Sequence, residues 1–96
     1  MNQITPEKIK KYLDITEKAL ASVVVVKEQQ QQANEVLDMA QRYFHDAQYY
    51  HKKGDWVTAF AAVNYAHGWL DCGTRLGVLN VQKNFHLFTI DRDKER

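Results

Sequence analysis

The stretch Lys52-Lys53-Gly54-Asp55 decides the fold, because it is the clearest helix-to-helix turn in the sequence. The two lysines suit the negative end of a helix dipole, and glycine readily adopts the left-handed conformation that closes a helix. Aspartate is a strong N-cap for a helix that follows. The stretch therefore predicts that one helix ends at Lys53 and that another begins near Trp56.

Apolar residues on both sides of this corner recur at three- and four-residue spacing, which is typical of helices with one buried face. The spacing predicts a helix over residues 33–53 and another over residues 56–79. Small residues dominate one side of the later helix and would let a neighbour approach closely; they are Ala59, Ala62, Ala66, Gly73 and Gly77. Because a glycine inside a helix costs about 1 kcal/mol relative to alanine, we expect tight helix contacts or a bound group to offset that cost.

The N-terminal part of the chain predicts one more helix. Thr5 followed by Pro6 is a favourable helix start, and the apolar spacing continues over residues 5–28. The run Val23–Val26 is β-branched and could form a strand, but the helical spacing around it favours helix.

The polar segment 27–32, which ends in four glutamines, is where we expect the chain to reverse. Glutamine also favours helix, so one unbroken helix over residues 6–53 remains an alternative. That helix would need a second copy of the chain to bury its apolar stripe. The segment 80–96 loses the helical pattern and is predicted to be a partly docked tail.

Together these features predict an all-α fold in a single domain over residues 1–96. The architecture that we expect is a short antiparallel up-and-down three-helix bundle with a partly extended C-terminal tail.

The composition is that of a folded protein with no strong overall charge. Hydrophobic residues make up 45% of the chain, and 13 Lys and Arg against 12 Asp and Glu give a net charge of +1. No general electrostatic field therefore attracts nucleic acid or an anionic membrane.

No run approaches the ~20 apolar residues of a membrane span, and the N-terminus does not read as a signal peptide. One cysteine cannot form an internal disulfide, so we expect a cytoplasmic location.

The densest group of polar and aromatic residues surrounds His67 and Asp71, which are four residues apart and so share one helix face. A metal could bind this pair with a third ligand such as His45 or Asp46 from the preceding helix. Zinc sites need three or four protein ligands, so a hydrogen-bonded pair in a helix interface is favoured. No metal or cofactor is predicted.

Cys72 could be a nucleophile activated by His67, but five residues separate them and they point to different helix faces. A buried thiol is favoured, since Cys is among the most buried residue types. The sequence has no glycine-rich phosphate loop, Cys-x-x-Cys pair or serine elbow, and enzyme activity is not favoured. The basic residues that a nucleic-acid surface could use are scattered; they are Arg42, Lys52, Lys53, Arg75, Lys83 and Arg92. Acidic residues lie between them, which favours an ordinary solvated face.

The segment 40–77 carries a family resemblance. It reads Ala-Gln-Arg-Tyr-Phe-His-Asp-Ala-Gln-Tyr-Tyr from Ala40, Lys-Gly-Asp at the corner, and Tyr-Ala-His-Gly-Trp-Leu-Asp from Tyr65. This segment resembles the archaeal family known as domain of unknown function 357 (DUF357). The resemblance implies a short three-helix bundle in an archaeal cytoplasm, with no assigned activity. It also favours a turn near the glutamines over a single long helix.

Two groups of motif positions are the places to look for a site, although they could equally be a structural signature. The candidate binding cluster comprises Tyr43, Asp46, Tyr65, His67 and Asp71. The candidate turn and helix-contact positions are Gly54, Asp55, Gly68, Trp69, Gly73 and Gly77.

Three functions are compatible with these residues. The sequence favours a non-catalytic interaction domain that pairs with itself as a homodimer, or with another protein, through its small-residue face and exposed aromatics. The alternative is a small-molecule or metal-dependent site centred on His67 and Asp71. Nucleic-acid binding is the third, and no membrane partner is expected.

Overall fold

The computed structural model describes residues 4–80, which form three helices and one very small sheet. The helices are α1 (Pro6–Ser22), α2 (Gln30–Lys53) and α3 (Trp56–Arg75). The strands are β1 (Val24–Val25) and β2 (Leu79–Asn80), which pair antiparallel, and a 3₁₀ turn at Lys27–Gln29 precedes α2. The all-α prediction is confirmed.

Helix α1 begins where its sequence provides a cap. The side chain of Thr5 accepts a hydrogen bond of 3.1 Å from the backbone N–H of Lys8, and Pro6 occupies the first turn. Such a cap satisfies one of the backbone donors that a helix start leaves unpaired. The buried residues then follow at three- and four-residue spacing, and they are Ile9, Tyr12, Thr16 and Ala19.

The connection between α1 and α2 differs from the predicted one. The helix predicted over residues 5–28 ends at Ser22, and the helical interpretation of Val23–Val26 is wrong because β1 occupies Val24–Val25. The strand forms because Val24 pairs with Asn80 and Val25 with Leu79, far along the chain. β-branched residues suit such pairing.

The chain therefore reverses earlier than the glutamines predict. Helix α2 begins at Gln30 rather than at residue 33, so three of the four glutamines are helical. One unbroken helix over residues 6–53 is excluded, because an extended strand and a 3₁₀ turn interrupt it. The high helix propensity of glutamine explains why these residues join α2.

The corner between α2 and α3 is built from backbone and side-chain caps. Gly54 has a φ of +80°, in the left-handed region that favours glycine, and the N–H of Asp55 donates to the carbonyl of Tyr50 at 3.0 Å. The Asp55 carboxylate then accepts a 3.2 Å hydrogen bond from the N–H of Thr58. This corner sends α3 back along α2.

Helix α3 is shorter than predicted, ending at Arg75 rather than at residue 79. Gly77, predicted to lie inside the helix, is instead part of the following turn with a φ of +80°. The N–H of Val78 donates to the carbonyl of Gly73 at 3.0 Å, which turns the chain toward β2. Asn80 ends β2, and the rest of the predicted tail, residues 81–96, lies outside the described residues.

Two groups of buried side chains form the core, and alanine is prominent in both. The first group joins all three helices to the small sheet; it comprises Ala19, Ala33, Val36, Ala40, Leu70, Val78 and Leu79. The second lies between α1 and the ends of α2 and α3 at the Gly54 corner; it comprises Tyr12, Ala47, Ala62 and Val63. Small side chains let the helices approach closely. Four of the predicted small-residue positions are therefore buried within the domain, and the prediction that this face binds a partner is wrong; they are Ala59, Ala62, Ala66 and Gly73.

Gly73 lies where α2, α3 and β2 meet. A Cβ atom added there would lie 2.6 Å from Cδ1 of Leu79 and 3.0 Å from Cγ1 of Val36. Close contacts within the domain therefore explain this glycine without a bound group.

Candidate functional site

His67 faces the interior of the bundle. It is 7% exposed, and its Nδ1 atom lies 3.4 Å from Oγ1 of Thr16 on α1. This buried polar contact joins α3 to α1. It gives Oγ1 of Thr16 and Nδ1 of His67 a polar partner where water is excluded, which is what buried polar atoms require.

Asp71 is directed differently from His67, although only one helical turn separates them. Its Oδ2 atom accepts a hydrogen bond of 3.2 Å from Nε of Arg75, which also makes an ion pair along the surface of α3. The predicted third ligands, His45 and Asp46, are both exposed on α2. Within residues 4–80, no group of three His, Cys, Asp or Glu side chains is arranged to hold a metal ion.

Tyr43 and Tyr65 are the members of the candidate cluster that contact each other directly. Their ring centroids are 5.2 Å apart with the planes tilted by 30°, which links α2 to α3. Tyr65 is nevertheless 62% exposed. The structure therefore does not bring the candidate cluster together in one place: Tyr65 is exposed and Tyr43 is half-buried, whereas His67 lies inside.

Cys72 was predicted to be buried, and that prediction is wrong because the thiol is exposed on the outer side of α3. Five residues at about 100° per residue turn it well away from His67, which occupies the inner side. Cys72, a residue type that is usually buried, therefore lies on the outer surface of α3.

Cys72 belongs to a continuous exposed stripe without charged residues, here called the outer stripe. Its members are separated by four, four, three, four and four residues, the spacing of a single helix face. They are Val57, Ala61, Tyr65, Gly68, Cys72 and Leu76, and all six are exposed. Val57 is 69% exposed and Leu76 is 70% exposed. Sequence reasoning missed Val57, Ala61 and Leu76, although their spacing was visible.

A shallow groove of about 270 Å³ lies in the middle of the outer stripe. Its lining residues are Asn64, Tyr65, Gly68, Trp69 and Cys72. Gly68 leaves the space open, because no atom of the described residues beyond its chain neighbours and the adjacent helix backbone comes within 4 Å of the position that a Cβ atom would occupy there. The groove is thus a gap between side chains on the surface of one helix.

Comparison with known protein families shows which family this chain belongs to. The family model described as protein of unknown function (DUF357) matches residues 11–79, nearly all of the described structure. The chain belongs to the DUF357 family. No curated protein and no solved structure matches the chain.

The DUF357 match covers most of α1 and all of α2 and α3, and so includes both sides of α3. The family description assigns no activity to any of these residues. Among residues 4–80 of this DUF357 domain, no helix is long and apolar enough to cross a membrane.

Proposed function

We propose that this DUF357 domain is a non-catalytic protein-interaction module that self-associates through the outer stripe of α3. The observation that carries the proposal is the exposure of all six stripe residues on an uncharged helix face. Contiguous exposed apolar surface on a small protein commonly marks an interaction site.

The composition of α3 supports this proposal. Between Trp56 and Arg75, the only acidic or basic residues besides His67 are Asp71 and Arg75 itself. A helix that is apolar on all sides is normally buried on all sides. The inner side of α3 is buried against α1 and α2, and a partner would bury the outer side.

The size of the stripe sets the expected strength of association. Each copy offers three large exposed side chains, from Val57, Tyr65 and Leu76. Burying such a side chain fully contributes about 1.5–3 kcal/mol, whereas association costs about 4–15 kcal/mol of lost freedom. We therefore expect a weak dimer with a dissociation constant of roughly 20–300 µM, rather than a permanent one.

The polar alternatives receive less support. His67 is buried against Thr16 and Asp71 pairs with Arg75, so a centre for a small molecule or a metal would have to rearrange both. Nucleic-acid binding would compete with existing ion pairs, since Arg42 contacts Asp38 as Arg75 contacts Asp71.

The exposed thiol supports a cytoplasmic location as part of the proposal. Cys72 is accessible to oxidants and to other thiols. A reducing compartment keeps such a cysteine from forming unintended disulfides.

The test is sedimentation equilibrium of the purified chain from about 1 µM to about 500 µM, a range that covers the expected dissociation constant. Ala61→Glu places a charge on the outer stripe, and Ala21→Glu makes the same change at an exposed alanine of α1. We expect the wild type and Ala21→Glu to dimerise equally, and Ala61→Glu to bind at least about tenfold more weakly because a charge would be buried. A wild type that stays monomeric throughout, or equal association of the two variants, would overturn the proposal.

A further inference from the structure

We infer that the partner is a second copy whose α3 lies antiparallel, with Tyr65 of each copy filling the groove over Gly68 of the other. This inference rests on the proposed function and specifies the geometry of the same surface. It makes each groove incomplete in a single copy, because the ring that fills it comes from the partner.

The outer stripe is complementary to itself when read in reverse. Antiparallel pairing about the midpoint between Tyr65 and Gly68 brings Val57 opposite the partner's Leu76 and Ala61 opposite the partner's Cys72. At the centre, Tyr65 lies opposite the partner's Gly68. Large aliphatic groups thus meet at the ends, small groups meet between them, and a ring meets a gap at the centre. A two-fold interface requires this kind of self-complementary surface.

Gly68 provides an independent reason for this pairing. A glycine within a helix is less favourable than alanine, because it has more conformational freedom to lose. At Gly73 the close approach of Leu79 and Val36 explains the missing side chain, but at Gly68 no described residue occupies the space. The partner's Tyr65, exposed by 62% in the single copy, is a group of suitable shape to occupy it.

The charges at the two ends of α3 also favour the antiparallel orientation. Asp55, which caps α3, is exposed at the start of this helix, and Arg75, which pairs with Asp71 of its own copy, is exposed in the last turn. Antiparallel pairing brings Arg75 beside the partner's Thr58, within one helical turn of the partner's Asp55. Parallel pairing would instead bring Asp55 beside the partner's Asp55 and Arg75 beside the partner's Arg75, so that like charges meet. The helix dipoles likewise oppose each other favourably only in the antiparallel arrangement.

Disulfide trapping distinguishes the two orientations because the chain has a single exposed cysteine. In the antiparallel pair, Cys72 lies about 16 Å along the helix from the partner's Cys72, too far for a disulfide. In Ala61→Cys, each new thiol faces the partner's Cys72, while the two cysteines within one chain are also about 16 Å apart and cannot pair. The control is Ala61→Cys combined with Cys72→Ala, in which no facing pair exists.

Under mild oxidation, at a concentration where sedimentation shows the dimer, we expect covalent dimers from Ala61→Cys alone. If the wild type forms covalent dimers through Cys72 as readily as the Ala61→Cys variant does, the pair is parallel and the inference is overturned. Failure of Ala61→Cys to exceed its control would also overturn it. If the wild type still self-associates, the proposed function survives either result; if the wild type is monomeric, both fail.

An exchange of ring and gap provides a second test of the same contact. Gly68→Tyr places a ring where a gap is needed, and Tyr65→Ala removes the ring, so each alone should weaken dimerisation by at least about tenfold. Combining the two changes restores one ring and one gap per facing pair, and dimerisation should recover to within about threefold of the wild type. A double variant weaker than both single variants would overturn the contact. Circular dichroism of each variant shows whether the bundle itself has changed.

Discussion

Gly68 and Gly73 both lie inside α3, yet replacing each with alanine should change the free energy of unfolding in opposite directions. Alanine is favoured over glycine in a helix interior by about 1 kcal/mol. At Gly68 the new methyl group would meet no described residue within 4 Å. Gly68→Ala should therefore raise the free energy of unfolding of the monomer by about 0.5–1 kcal/mol.

At Gly73 the same methyl group would lie 2.6 Å from Cδ1 of Leu79 and 3.0 Å from Cγ1 of Val36. Both neighbours are buried, at 3% and 6% exposure, so neither side chain can move into solvent without losing core contacts. Overfilling a core costs about 1–3 kcal/mol, which exceeds the gain in helix propensity of about 1 kcal/mol. We expect Gly73→Ala to lower the free energy of unfolding by about 1 kcal/mol.

The assay is urea unfolding followed by helical circular dichroism, at a few micromolar protein so that association contributes little. The two variants should differ by about 2 kcal/mol, or roughly 8–16 °C in melting temperature for a domain of this size. Each variant serves as the control for the other, because the substitution and the helix are the same. A Gly73→Ala variant as stable as Gly68→Ala would refute the argument that close contacts require glycine there.

Substitutions at two further positions test the contact between α1 and α3 and the cap of α3. Thr16→Val removes the hydroxyl that contacts His67 and should lower the free energy of unfolding by about 1–3 kcal/mol, whereas Thr16→Ser should lose less. A Thr16→Val variant as stable as the wild type in urea unfolding would mean that the hydroxyl contributes nothing. Asp55→Ala removes the cap of α3 and should cost about 1 kcal/mol, whereas Asp55→Asn retains an accepting oxygen and should stay within a few tenths. Thermal unfolding of the pair would contradict this if Asp55→Asn were as unstable as Asp55→Ala.

The all-α class and the Gly54 corner could be read from the sequence because their signals are local. Three- and four-residue spacing shows in any stretch of about three turns, and it predicts helices wherever it occurs. At the corner, Gly54 lies beside a capping aspartate, Asp55. Each of these residues acts on backbone groups within five positions of itself, so no distant contact is needed to interpret them.

The small sheet could not be read in the same way because its partners are far apart in the chain. Val24 pairs with Asn80, and helical spacing on both sides of Val23–Val26 hid the strand. The same pairing draws the chain out of α3 after Arg75, so the predicted end of that helix was also wrong. In both places, a contact between distant segments overrode the local preference.

The candidate site was only partly predictable, because α3 is apolar on both sides. An apolar pattern identifies a buried face only when the opposite face is polar, and here Cys72 and Tyr65 lie on an exposed face. His67 and Asp71 illustrate a related limit. Four residues turn a helix by about 40° beyond a full turn, enough at the edge of a buried face to place one side chain inside and the other at the surface.

The fold of a single copy requires glycine at Gly73 but not at Gly68. Close contact with α2 and β2 requires a missing side chain at Gly73, and an isolated copy of the domain is sufficient to explain it. No comparable contact lies over Gly68 in the described chain, although both glycines weaken the helix by the same mechanism. Stability of the single copy would therefore favour alanine at position 68. In the dimer that we propose, a ring inserted over this position would reverse that preference, and the exposed Tyr65 on the same stripe is the ring that a second copy would supply.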